Sequence, residues 1–90
     1  MSKQGETAVK TLANLLHQRV SISNIGRWID TLEWVNQMYS PERNELQSVL
    51  ALFGGRFNRN DKVGVAETIK IAKAEMRTII RRIKKVNGIR

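Results

Sequence analysis

Cysteine and long apolar runs are both missing from this sequence. It contains no cysteine, one proline and one histidine, and its longest unbroken apolar run, residues 49–53, is five residues long. Without cysteine there is no disulfide framework, no thiol nucleophile and no zinc site built on thiolates. A membrane-spanning helix needs about 20 apolar residues, and residues 1–10 hold no apolar core of a signal peptide, so we expect a cytoplasmic protein with no membrane span.

Residues suited to catalysis or metal binding are equally sparse. His17 is the single histidine, and the sequence identifies no partner for it. A metal site built on one histidine and scattered carboxylates is improbable. No phosphate-binding glycine loop, nucleophile elbow or spaced pair of acids occurs. We therefore expect no enzymatic activity, no metal, no cofactor and no small-molecule substrate.

Acidic residues are too few to balance the basic ones. The 90 residues include 16 Lys or Arg and 8 Asp or Glu, which gives a formal net charge of +8. Residues 62–90 hold nine of these cations and two of these acids, so they carry +7, whereas residues 1–61 carry +1. Such a charge attracts polyanions, nucleic acid first and an anionic membrane surface second. DNA is favoured over RNA as the partner.

The length predicts a single domain over residues 1–90. A chain this short buries only about 60% of its unfolded surface, so self-association would stabilise it and we expect a homodimer. The domain comprises a near-neutral three-helix part, 6–53, a loop rich in Gly, Asn and Arg, 54–62, and a basic C-terminal helix, 63–90. The predicted fold class is all-α, a small bundle of four to five helices.

Helical spacing of apolar residues supports this division. Two amphipathic helices are predicted at about 6–18 and 23–39. A third, shorter helix is expected to start near Ser40 and Pro41, as N-cap and first helical residue, and to end at Gly54-Gly55.

The last predicted helix, about 63–86, combines an apolar seam of heptad spacing with a row of cations. The seam consists of Val65, Ile69, Ala72, Met76, Ile79, Ile83 and Val86. The cations at helical spacing on the other side are Lys70, Lys73, Arg77, Arg81 and Lys84, and Arg82 and Lys85 add to the charge. We expect the seam to form an oligomer interface and the cations to contact phosphates.

Two tryptophans of the second helix are expected in different surroundings. Trp28 lies on the apolar side of that helix and is predicted to be a core residue. Trp34, six residues further along, faces elsewhere. It is predicted to be half covered by a neighbouring helix or to belong to the subunit interface.

Two plainer interpretations of the cations stay open. Lys and Arg are good helix formers and complement the dipole near a helix C-terminus, so a merely solvated face is one alternative. An amphipathic helix lying on an anionic membrane is the other. Its apolar side, however, would carry Ala and Val where such helices usually carry Trp or Phe.

Residues 73–89 resemble the recognition-helix end of Fis-type helix-turn-helix proteins. The resemblance rests on the pair Thr78-Ile79, the basic residues that follow it and a closing Gly88. It implies that this segment is broken into two helices, whereas the helix propensity of Lys73 and Glu75 favours one unbroken helix. Both interpretations leave the cations exposed on a helix.

Residues 19–29 resemble the turn and recognition-helix start of phage-repressor-like helix-turn-helix proteins. The matching positions are Val20, Ser23, Ile25, Arg27 and Trp28. The resemblance implies that Asn24 and Arg27 project into the major groove, where Asn suits adenine and Arg suits guanine. The alternative is an ordinary helix cap followed by an amphipathic helix.

These patterns together predict a small DNA-binding protein, regulatory or architectural, of the size found among phage and mobile-element accessory proteins. It would contact phosphates through the basic C-terminal helix and read bases through a helix-turn-helix. The alternative function is a protein-interaction or oligomerisation module. In that case the seam pairs with itself or with a partner, and the basic side docks on an acidic protein.

Overall fold

The computed structural model describes residues 3–39, 46–54, 57–58 and 60–89, and in these ranges it contains four α-helices and no strand. The helices are α1 (Lys3–His17), α2 (Ile25–Met38), α3 (Gln47–Ala51) and α4 (Lys62–Asn87). The predicted all-α bundle with a long C-terminal helix is confirmed. The predicted helix start at Ser40 and Pro41 lies outside the described residues.

α1 and α2 form an antiparallel pair joined by residues 18–24. The indole Nε1–H of Trp28, at the start of α2, donates a hydrogen bond of 3.2 Å to the carbonyl oxygen of Leu15, near the end of α1. Trp28 is buried, as predicted, because its ring fills the core while its one polar atom is satisfied by a backbone acceptor.

α4 lies antiparallel to α1 and extends along the whole molecule. Lys73 Nζ donates to the carbonyl oxygen of Gln18, just after α1, at 2.9 Å. At the other end of the pair, Gly5 approaches Asn87 so closely that a Cβ on Gly5 would lie 2.7 Å from the Asn87 amide. The 26 residues of α4 measure about 39 Å at 1.5 Å per residue, and the longest dimension of the molecule is 41 Å.

One hydrophobic core joins α1, α2, α3 and α4. It includes most of the apolar seam of the last helix, with Ala72, Met76, Ile79 and Ile83 all buried within the single chain. Val65 is buried as well, and Ile69 is partly buried against the core. For the buried members of the seam the predicted oligomer interface gives way to an intramolecular core, because their side chains have almost no surface left with which to contact a second copy.

α4 is continuous and capped at both ends. The Asp61 carboxylate accepts a hydrogen bond of 3.0 Å from the backbone N–H of Gly64. Gly88 ends the helix in the left-handed conformation, with φ of 67°, which costs glycine little because it has no Cβ. The unbroken-helix interpretation is therefore confirmed, and the break implied by the Fis-type resemblance does not occur in α4.

α3 ends earlier than predicted and is followed by a small aromatic cluster. Helical geometry ends at Ala51, and tight turns carry the chain through Phe53. The Phe53 ring packs edge-on against Trp28 at 5.8 Å and against Phe57 at 5.2 Å between ring centroids. These contacts join the region around α3 to the start of α2.

Candidate nucleic-acid interface

Five cations of α4 lie along one side of the helix. They are Lys70, Lys73, Arg77, Arg81 and Lys84, and we call this row the basic stripe. At 100° per residue their directions fall within an arc of about 80°, and at 1.5 Å per residue they span roughly 21 Å. Lys70, Arg77 and Arg81 are exposed, and Lys73 and Lys84 are half-buried.

The basic stripe lies on the flank of α4 and not directly opposite the core. Its centre is turned roughly a third of a helical turn from the direction of the buried residues. The hydrogen bond from Lys73 to Gln18 places the end of α1 beside this flank. The sequence predicted apolar and basic sides back to back, so this position is a correction. The cause is that α4 packs against both α1 and α3 and therefore buries a broad side.

No acidic residue of α4 shares the flank with these cations. Glu67 and Glu75 point in other directions, about 80° and 160° from the centre of the stripe. Arg77 has Lys73 and Arg81 one turn away on either side, and neither Ala74 nor Ile80 offsets them. Like charges at this spacing destabilise a helix by about 0.2–0.5 kcal/mol per pair. The fold therefore maintains a local concentration of positive charge at a small cost in stability.

Two further predicted phosphate ligands lie outside the stripe. Arg82 and Lys85 are exposed, but they point about 140° and 80° away from its centre. One flat phosphate surface cannot contact all seven predicted cations of α4 at once. The structure thus divides the predicted set into five residues that share a surface and two that do not.

Asn24, predicted to read bases, has both of its polar atoms occupied within the turn before α2. Its Oδ1 accepts from the backbone N–H of Ser21 at 2.7 Å, and its Nδ2 donates to the carbonyl oxygen of Arg19 at 3.0 Å. Asn24 precedes the first helical residue and does not project from the first turn. In this conformation the side chain shapes the connection and cannot also present the bidentate pair that adenine requires.

Arg27, the other predicted base reader, is exposed on α2. α1 and α2 are joined by the seven residues 18–24, whereas the turn of a helix-turn-helix has three or four. The connection that carries the repressor-like pattern is therefore longer than the turn of a helix-turn-helix. The role of Arg27 stays a prediction.

The remaining members of the predicted oligomer interface are exposed. Trp34 is 51% exposed on the outer side of α2, and Val86 is 79% exposed near the end of α4. Of the other seam residues, Ile69 is partly buried and the rest are buried. A contact with a second copy through the predicted residues would therefore rest mainly on Trp34 and Val86.

The structural contacts of Lys73, Asn24 and Asn87 were all missed by reasoning from the sequence. Asn87 Nδ2 donates to the Tyr39 hydroxyl and to the Ile83 carbonyl oxygen, each at 2.9 Å. The Lys73–Gln18 and Asn87–Tyr39 bonds join residues 48 or more positions apart. The other bonds are local and depend on a backbone conformation that the sequence does not give in advance. An asparagine before a glycine near a helix end indicates a cap, but nothing in the sequence indicates its long-range partner.

The described residues hold neither a cluster of metal ligands nor a membrane-spanning helix. No three His, Asp or Glu side chains in the described ranges come together as a metal site would require. Among the helices in those same ranges, none has the length and apolar content needed to cross a membrane. Comparisons with protein family models, with curated proteins and with solved structures found no match to this chain.

Proposed function

We propose that this protein binds duplex DNA through the basic stripe of α4, as a small regulatory or architectural factor in the cytoplasm. The observation that carries the proposal is the alignment of five cations on one flank of a continuous helix, with no acid of that helix among them. A solvated face has no need of this arrangement, because interspersed acids would stabilise the helix and keep it equally soluble.

The proposed energetics rest on phosphate neutralisation. Duplex DNA carries about one negative charge per 1.7 Å, so a segment as long as the stripe, roughly 21 Å, presents about six phosphates on each strand. Lys and Arg side chains that contact them release condensed counterions. With four or five contacts, the logarithm of the binding constant should fall with the logarithm of salt concentration with a slope of about −4.

A titration with matched variants tests the proposal. Duplex binding would be measured by fluorescence anisotropy across a salt series for the unaltered protein, for R77Q/R81Q and for R82Q/K85Q. Both double variants remove two charges from α4, but only the first removes them from the stripe. We expect R77Q/R81Q to lose about two units of salt slope, and R82Q/K85Q to lose less than one.

Equal losses in the two double variants, or no binding of duplex DNA at low salt, would overturn the proposal. Anionic lipid vesicles, duplex RNA and an acidic protein serve as competitors. If vesicles or the acidic protein displaced DNA at a matched concentration of charge, a membrane surface or a protein partner would replace DNA in the proposal. Preference for duplex RNA over duplex DNA would make RNA the partner.

A homodimer is part of this proposal, with a change in the surface that would form it. The buried seam residues support the core of each copy, and the exposed ring of Trp34 is the remaining large apolar side chain among the predicted interface residues on α2. Tryptophan is enriched at the centres of protein interfaces, because it combines a large apolar area with a hydrogen-bond donor.

A further inference from the structure

The packing of α1 beside α4 bears on how the basic stripe could meet a duplex. The two helices run antiparallel from the Gly5 and Asn87 end to the Gln18 and Lys73 end. Four of the five cations of the stripe, those at 73, 77, 81 and 84, lie within this paired part of α4. Packed helices are separated by about 8–10 Å between axes, so the pair is about 20 Å wide.

That width decides whether base edges are within reach. The major groove of B-DNA is about 12 Å wide and about 8.5 Å deep, which admits one α-helix and not two side by side. Because the hydrogen bond from Lys73 to Gln18 places the end of α1 beside this flank, a duplex that approaches it there meets both helices. The paired part of α4 therefore has to remain outside the groove, where phosphates are accessible and base edges are not.

The chemistry of the stripe and of the predicted base reader agrees with this geometry. The stripe contains Lys and Arg alone. These side chains bind guanine only when they enter the major groove, and from outside the groove they contact phosphates. Both polar atoms of the Asn24 side chain are hydrogen-bonded to the backbone at Ser21 and Arg19. Phosphate contacts fix position but carry no base sequence, so a surface limited to them binds one sequence as well as another.

We infer that this protein binds the DNA backbone without reading bases, so that its ligand is duplex DNA of any sequence and not a cognate site. This inference rests on the proposed function. It predicts an occluded length of at least about six base pairs per chain, set by the roughly 21 Å length of the stripe. It also predicts that binding strengthens with duplex length and is indifferent to composition.

The experiment compares duplexes of equal length and unrelated sequence, including A·T-rich and G·C-rich ones, and adds selection from a random duplex pool. The unaltered protein, R27A and R77Q/R81Q are each measured at one fixed salt concentration. We expect dissociation constants within about threefold across sequences, far below the thousandfold or larger ratio of specific binders. No motif should be enriched, R27A should bind all sequences like the unaltered protein, and R77Q/R81Q should be weaker on all of them.

The failures of the inference and of the proposed function are distinguishable. Enrichment of a motif, or a preference above about tenfold for one duplex that R27A abolishes, would overturn the inference and leave DNA binding intact. Absence of binding to every duplex at low salt, or R77Q/R81Q binding as well as the unaltered protein, would overturn the proposed function and the inference with it.

Discussion

Arg77 shows at the scale of one residue how stability and the proposed DNA binding are opposed. Its neighbours one turn away are Lys73 and Arg81, so it adds two repulsive pairs to α4. Lys70 differs, because Glu67 three residues before it offsets Lys73 three residues after it. The two cations belong to the same stripe but should contribute differently to the free energy of unfolding.

The variant R77Q should be more stable than the unaltered protein at low salt, by about 0.4–1 kcal/mol, because two like-charge pairs are removed. The variant K70Q should leave the free energy of unfolding nearly unchanged. Urea unfolding at low and at high salt measures both, and the difference should vanish at high salt through screening. Each variant should nevertheless lose about one unit of salt slope in DNA binding. A destabilised R77Q would contradict this account of the stripe.

Gly5 occupies a position where α1 approaches the end of α4 with no room for a methyl group. A Cβ there would lie 2.7 Å from Cγ, Nδ2 and Oδ1 of Asn87, whose amide is held by Tyr39 and Ile83. The variant G5A should therefore lower the free energy of unfolding by about 1–3 kcal/mol, despite the higher helix propensity of alanine. In an N87A background the clash disappears, and G5A should become neutral or stabilising. Thermal unfolding of the four variants measures this coupling, and additive effects would contradict it.

At the scale of the element, the start of α4 depends on one side chain. The Asp61 carboxylate accepts from the Gly64 N–H and satisfies one of the donors left free by the first turn. The variant D61A should lower the free energy of unfolding by about 0.5–2 kcal/mol, whereas D61N should retain most of it. Chemical denaturation of both variants is the measurement. If D61N lost as much as D61A, the contribution would come from charge and not from the cap.

Periodicity in the sequence was sufficient for the existence of α1, α2 and α4 and for the burial of Trp28. It did not indicate which surface the apolar side of each helix packs against. The heptad spacing of Met76, Ile79 and Ile83 is compatible with a second copy or with another helix of the same chain, because both offer an apolar surface. Chain length and net charge cannot distinguish these two cases, because the outcome depends on how α4 folds back along α1.

The candidate site was predictable in its charges and not in its geometry. Helical spacing predicted that the cations from Lys70 to Lys84 share a side, and the structure places them together on a flank. The hydrogen bonds of the Asn24 side chain within the turn could not be predicted. A short polar side chain before a helix can equally well cap the helix, stabilise a turn or bind a ligand. That contact decides whether the residue is available to a base.

At the scale of the whole molecule, the seam residues of α4 are expected to govern stability and not association. Met76 is fully buried, and Val86, a member of the same heptad row, is 79% exposed. The variant M76A should lose about 2–5 kcal/mol of the free energy of unfolding through the cavity it leaves, which is a large part of the total for a domain of this size. V86A should change it by less than about 0.5 kcal/mol. Similar stabilities for the two variants would contradict the intramolecular core.

Association of two copies is expected to depend on Trp34 and not on the seam residues. In the proposed homodimer, W34E would introduce a charge at the interface and should give the mass of a single chain in light scattering, with an unchanged helical circular dichroism spectrum. N14E, at an exposed position of α1, serves as a control for the added charge. Identical masses for W34E and the unaltered protein would contradict an interface at this side of α2.

The hydrogen bond between Lys73 and Gln18 closes a loop of 55 residues, and the contact of Gly5 with Asn87 closes a larger one. Closing such loops costs conformational entropy before the contacts they allow can offset it. The helices that precede α4 therefore expose their apolar sides during synthesis until α4 has been made and has docked on them. Under the proposed function, DNA that binds α4 in its docked, helical form would favour the native fold, and DNA would then act as a folding ligand.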